Sequence, residues 1–317
     1  MRDGNDGAEA KPIYAGLAFL LIIITSLFLS LIFGAIIGSG SLSFYNISLF
    51  SIILYAMFMG VFVGFWKFGR FRVQKGRAEP GQFNSGSIYF SRPTVRDIYL
   101  TVLIGLCALA GFLLLQNLVL EIFVLMNYQV PDSHVALNTP WRFIIATVTL
   151  AILPSVVEEL LFRGIILHAL LPLGKWKAVL LSSAMFSLFH LSPAQTVYQF
   201  VLGVFMALVY LRTRNIFIPI LLHFVNNFTT IVILFAGYGT DLADNESFRL
   251  GAFTIIGAIV LAITSTFVIL NLVRAIKNRE GTLRERHKLK IEEGFLLGLG
   301  IGLALIIWFM AFIPSTL

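Results

Sequence analysis

Apolar residues come in long runs along this chain, broken by short polar stretches that are mostly basic. Crossing about 30 Å of hydrocarbon takes roughly 20 consecutive apolar residues in a helix. Nine segments meet or approach that length: 13–38, 47–66, 98–126, 142–173, 177–191, 195–212, 216–237, 251–273 and 294–313. The fifth is short. The fourth is long and contains Pro154, which is expected to kink it. The pattern predicts an all-α, polytopic transmembrane bundle of about eight to nine spans.

The polar stretches assign an orientation. With the N-terminus in the cytoplasm, the leading tail and the even-numbered loops hold 20 of the 23 Lys and Arg residues, most of them in loops 67–97 and 274–293. The opposite side holds Asp132, Asp241, Asp244 and Glu246. Basic residues accumulate on the cytoplasmic side of membrane proteins, so the N-terminus is predicted to be cytoplasmic. Trp66, Trp141 and Trp176 fall at predicted span ends, where an indole ring prefers the headgroup layer. Loop 67–97, the longest connection and one with Gly, Pro and Ser, is expected to be flexible or to lie on the membrane surface.

Composition agrees. The chain is 58% hydrophobic and 12% charged, against about half and about a quarter for a soluble domain. A net charge of +7 on a soluble protein would suggest nucleic acid. Here the basic residues flank spans, so orientation and contact with membrane lipids account for them, and no nucleic-acid partner is expected. The lone Cys107 excludes an intrachain disulfide and a Cys-x-x-Cys metal site. The first apolar run is too long for a signal-peptide core, and Asp3, Asp6 and Glu9 dilute the positive charge before it. It reads as a retained first span.

Ionisable side chains inside a membrane cost at least about 2.5–3.5 kcal/mol on insertion scales and call for an explanation. Here they concentrate in the fourth to seventh segments, in three short patterns. The first is Glu158-Glu159-Leu160-Leu161-Phe162-Arg163. Glu159 and Arg163 stand at i,i+4, where they neutralise each other. Glu158 is turned about 100° away and is free to face a polar cavity, although a structural ion pair with a spare glutamate would read the same way. The second pattern is Phe186-Ser187-Leu188-Phe189-His190; taken alone, a histidine at a span end is more often an interfacial residue. The third is His223-Phe224-Val225-Asn226-Asn227. His223 and Asn227 share a helix face at i,i+4, and Asn226 is a rival for the second position. Polar glue between helices is the plain alternative.

Together these residues place an acid, two imidazoles and an amide on three segments, a set able to activate water and stabilise an oxyanion. Glu158, His190 and His223 are also zinc-ligand types. No His-Glu-x-x-His helix is present to fix metal geometry. Spacing leaves a divalent metal such as zinc open, and no cofactor is otherwise expected. A proton or ion pathway in a transporter is a competing use of such residues, but it predicts internal repeats that the chain lacks. A non-catalytic scaffold or immunity protein is another.

Glu-Glu-x-x-x-Arg, Phe-x-x-x-His and His-x-x-x-Asn, in that order on successive apolar segments, resemble the CAAX prenyl protease and bacteriocin-processing (CPBP, Abi-type) family of intramembrane endopeptidases. Leu153-Pro154 before the first motif and Gly164 after it resemble that family too. The resemblance covers roughly 142–237. It implies a peptidase working in a membrane cavity open to the cytosol. Glu158 would activate water with help from His190, and His223 and Asn227 would donate to the oxyanion. Glu159 and Arg163 would hold the site in shape. The implied substrate is a hydrophobic or lipidated peptide, for some relatives a prenylated CAAX protein. The compact chain suggests a prokaryotic plasma-membrane member. The expected division is 1–141 as N-terminal membrane helices with the 67–97 loop, 142–237 as the catalytic core, and 238–317 as C-terminal helices with the 274–293 loop.

Overall fold

The computed structural model describes residues 10–37, 43–68, 71–75, 87–128, 137, 139–236, 274 and 287–312. Every expected apolar segment within those residues is helical. The elements are α1 (Pro12–Ile37), α2 (Phe44–Lys67), β1 (Arg72–Lys75), β2 (Ser87–Phe90), α3 (Val95–Leu125), α4 (Pro140–Leu173), α5 (Lys175–Phe189), α6 (Thr196–Thr213), α7 (Phe217–Phe235) and α8 (Ile291–Phe312). Of these, α1, α2, α4, α6, α7 and α8 are long and apolar enough to cross a membrane. With 15 residues, α5 is shorter than a full crossing requires. The expected segment 251–273 lies outside the described residues, as do Asp132, Asp241, Asp244, Glu246 and most of loop 274–293.

Helix starts follow local chemistry. Thr94 and Asp97 form a reciprocal capping box at the start of α3, satisfying two backbone N–H groups that a helix end leaves orphaned. Thr139 caps α4 by accepting from the N–H of Arg142, with Pro140 at the first helical position, where a missing N–H costs nothing. Trp66, Trp141 and Trp176 are all exposed near helix ends, as the sequence predicted. Phe28, Leu31, Ile36, Phe295 and Met310 are also exposed. Outward-facing apolar side chains of this size fit lipid rather than water as the surrounding solvent.

The core lies where α4, α5 and α6 meet, with α1 and α2 packed around them. The closest helix pairs are α1 with α8, α5 with α6, and α3 with α7. Gly203 of α6 faces Ser183 and Phe186 of α5 so closely that an added Cβ would stand 3.1–3.3 Å from their atoms. The small residue sets the α5–α6 distance. The last helix secures the turn after α5: Trp308 Nε1 donates to Thr196 Oγ1 at 2.6 Å, and Thr196 Oγ1 donates to the Ser192 carbonyl.

Two differences from the sequence picture are additions to it. Within the 67–97 stretch β1 and β2 pair in parallel, Val73 opposite Ile88. This strand pair is then tied to the turn between α6 and α7. Asn215 Nδ2 donates to the Ser91 carbonyl, the Ser91 N–H donates to Asn215 Oδ1, and the Ile216 N–H donates to the Tyr89 carbonyl. Ile88 is fully buried and touches α4 at Gly164, which accounts for the glycine after the first motif. The second difference concerns α4, which contains two π-helical stretches, Thr147–Ile152 and Leu160–Ile166. The first ends just before Pro154. A proline ring clashes with the carbonyl four residues back and gives it no N–H. Widening the preceding turn accommodates it, as π-bulges commonly do near functional sites.

Candidate active site

The first motif lies on α4, in the buried centre of the bundle. Glu158, Glu159 and Arg163 are each at most 2% exposed. Arg163 Nη1 donates to Glu159 Oε1 at 2.7 Å, the expected i,i+4 pair. The same guanidinium donates from Nη2 to the Gly203 carbonyl at 3.2 Å and lies 4.6 Å over the Phe186 ring. A flat cation with several fixed donors can meet all three demands at once.

His223 of α7 enters this cluster from the opposite side. Its Nδ1 is 2.9 Å from Glu159 Oε1, and its Nε2 is 4.0 Å from Glu158 Oε2. A carboxylate only accepts, so Nδ1 carries the proton shared with Glu159 and Nε2 is turned toward Glu158. A gap of 4.0 Å is too long for a direct hydrogen bond, yet one water can bond both sides of it.

His190 closes α5 and is half-buried. Its Nδ1 lies 2.9 Å from the Phe186 carbonyl; a carbonyl only accepts, so Nδ1 again carries the proton and Nε2 is left as the open nitrogen. Phe186 is the hub. Its fully buried ring stands edge-on to His190 at 5.1 Å and to His223 at 5.9 Å. The ring is a wall that spaces the two imidazoles, and His190 is within electrostatic reach of Glu158, His223 and Arg163.

The structure thus brings Glu158, Glu159, Arg163 and His223 into one contact cluster, with His190 joined through Phe186. Asn227 is arranged differently from the simple same-face reading. Its Nδ2 donates to the Leu150 carbonyl at 3.2 Å, and its Oδ1 accepts from Asn226 Nδ2 at 3.1 Å. Leu150 is the residue four before Pro154, so Asn227 supplies a donor to the carbonyl that proline cannot serve. Asn226 is the more buried of the two and accepts from the Tyr198 hydroxyl. Among the described residues, no three His, Cys, Asp or Glu side chains are grouped to hold a metal ion; Glu158, His190 and His223 do not converge as ligands of one ion.

Residues 140–229, which carry this whole cluster except for one hydroxyl, match the family model described as type II CAAX prenyl endopeptidase, Rce1-like. This segment is similar to the CAAX protease family. That family is one of proteases, and the six membrane-length apolar helices among the described residues make the chain an integral membrane protein. Comparison with curated proteins and with solved structures gives no match.

The hydroxyl from outside the matched core is that of Tyr55, on α2. It donates to Glu158 Oε1 at 2.6 Å. The three-motif reading missed it, although a signal exists: Tyr55 is the only tyrosine in the apolar run 47–66, and a buried phenol normally finds a partner. Asn227 yields a first prediction. Asn227→Ala removes the donor to Leu150 and should cost about 1–3 kcal/mol of stability, the usual penalty for stranding a buried polar group. Thermal unfolding in detergent measures it. A melting temperature equal to that of the wild type would mean that the carbonyl finds another donor.

Proposed function

We propose that the chain is an intramembrane endopeptidase that hydrolyses a peptide bond in a hydrophobic or lipidated, CAAX-type substrate. The observation that supports this reading best is that Glu158 Oε2, buried with no hydrogen-bond partner among the described residues, faces His223 Nε2 across 4.0 Å. Both belong to side chains that are almost completely buried. A water held there touches a base on one side and an imidazole on the other.

In this mechanism Glu158 Oε2 takes a proton from the water while the oxygen adds to the scissile carbonyl carbon. His190, through Nε2, accepts the second water proton as a hydrogen bond and orients the nucleophile. The carbonyl becomes an oxyanion that His223 stabilises through Nε2–H. This requires His223 protonated on both nitrogens. Two carboxylates, one guanidinium and one imidazolium then leave the buried cluster electrically neutral. Asn227 keeps its second Nδ2 proton for the same oxyanion. Collapse of the intermediate breaks the C–N bond, and the proton on Glu158 passes to the leaving amine. The products are a carboxylic acid and an amine.

We place this catalytic core at 142–237, in a bundle of about eight to nine spans with the N-terminus and the basic loops cytoplasmic. The test uses the purified full chain in proteoliposomes with a fluorogenic farnesylated CAAX-type peptide, and mass spectrometry of the products. Turnover that disappears in His223→Ala, with helical content retained, is the expected result. Failure of the wild-type chain to cleave, with both proteins folded, would favour a structural role for the cluster.

A further inference from the structure

We infer that Tyr55 is a positioning residue for the reaction: its hydroxyl holds Glu158 by one oxygen so that the other is presented to the water. The inference rests on the assignment of Glu158 as the base and adds a component from α2, outside the matched segment.

The two oxygens of Glu158 are not equivalent. Oε1 accepts from Tyr55 at 2.6 Å, within the range of a charge-assisted O–H···O bond. Oε2 is buried with no hydrogen-bond partner among the described residues and faces His223 Nε2. A carboxylate on a glutamate stem can rotate about its terminal torsion, a broad and soft one. Anchoring one oxygen removes that freedom and sets the direction of the other.

Tyr55 is itself held by an apolar ladder. Its ring stands edge-on to Phe58 at 6.0 Å, and Phe58, fully buried, stands edge-on to Phe189 at 5.6 Å. Phe189 precedes His190 and meets its ring at 5.3 Å. One row of aromatic contacts therefore fixes both the hydroxyl that orients the base and the histidine beside the water. Tyr55 touches neither the proposed water nor the oxyanion, and it acts through Glu158 alone.

The test compares Tyr55→Phe with wild type on the farnesylated peptide in proteoliposomes. Phenylalanine keeps the ring contact with Phe58 and deletes only the hydroxyl. Misplacing a reacting group by about 1 Å costs on the order of a hundredfold, so kcat should fall about 10- to 100-fold while KM stays within about twofold and the melting temperature is unchanged. A Tyr55→Phe enzyme with wild-type kcat overturns the inference. If the melting temperature falls as well, Tyr55→Gln and Tyr55→Leu decide: glutamine restores a donor and should turn over faster, and equal rates overturn the idea. An inactive Glu158→Gln beside a fully active Tyr55→Phe sinks this inference alone. No turnover by the wild-type chain, or full turnover by Glu158→Gln, sinks the base assignment and this inference with it.

Discussion

Glu158→Gln is expected to lower cleavage of the farnesylated peptide by about 10²- to 10⁴-fold, the usual contribution of a positioned general base. The chain should fold normally. Glutamine conserves the volume of a side chain that is 2% exposed, and its amide oxygen can still accept from Tyr55. What is lost is the lone pair on Oε2, which an amide NH₂ replaces with donors. The buried Glu159–Arg163 ion pair is untouched. The measurement is kcat beside a melting curve in the same detergent. A variant with wild-type kcat would place the base elsewhere, and one that fails to fold would assign Glu158 a structural duty instead.

The parts of this site that were legible in the sequence are the local ones. Glu159 and Arg163 lie one turn apart on a single helix, and an i,i+4 relation depends only on helix geometry. The membrane class was legible too, because apolar runs of span length survive any arrangement of the bundle. What eluded the sequence depends on which helix faces which. His223 and Asn227 share a face, yet Glu159 claims one and Leu150 the other. The second of those partners exists because Pro154, far from Asn227 in sequence, withholds an N–H. The β1–β2 pair was hidden for a related reason. Four-residue strands carry almost no periodicity of their own, and this pair is secured by Asn215 in a turn more than a hundred residues away. The π-helical turns of α4 likewise answer to packing rather than to a residue pattern, apart from the proline that follows the first.

Arg163→Ala is expected to be the most destabilising single change in the core, by about 3–5 kcal/mol, the cost of breaking a buried ion pair from one side. Three losses coincide there. Glu159 keeps His223 as its only remaining polar partner among the described residues, the Gly203 carbonyl loses its side-chain donor, and Phe186 loses the cation over its face. Loss of expression or a large drop in melting temperature is the expected readout, and a normal melting temperature would contradict the account. Arg163→Lys should fall between, because an ammonium restores the charge but cannot reach Glu159 and Gly203 while lying flat on a ring. A double variant, Glu159→Gln with Arg163→Met, separates folding from chemistry. Removing both charges relieves the stranded carboxylate, so stability should recover well beyond that of Arg163→Ala. Activity should not recover, because a neutral amide is a weaker acceptor for His223 Nδ1–H and no longer supports the doubly protonated ring that the oxyanion requires. Recovery of both would show that the pair serves the fold alone and that His223 finds its orientation elsewhere, with Phe186 and Glu158 among the contacts able to provide it.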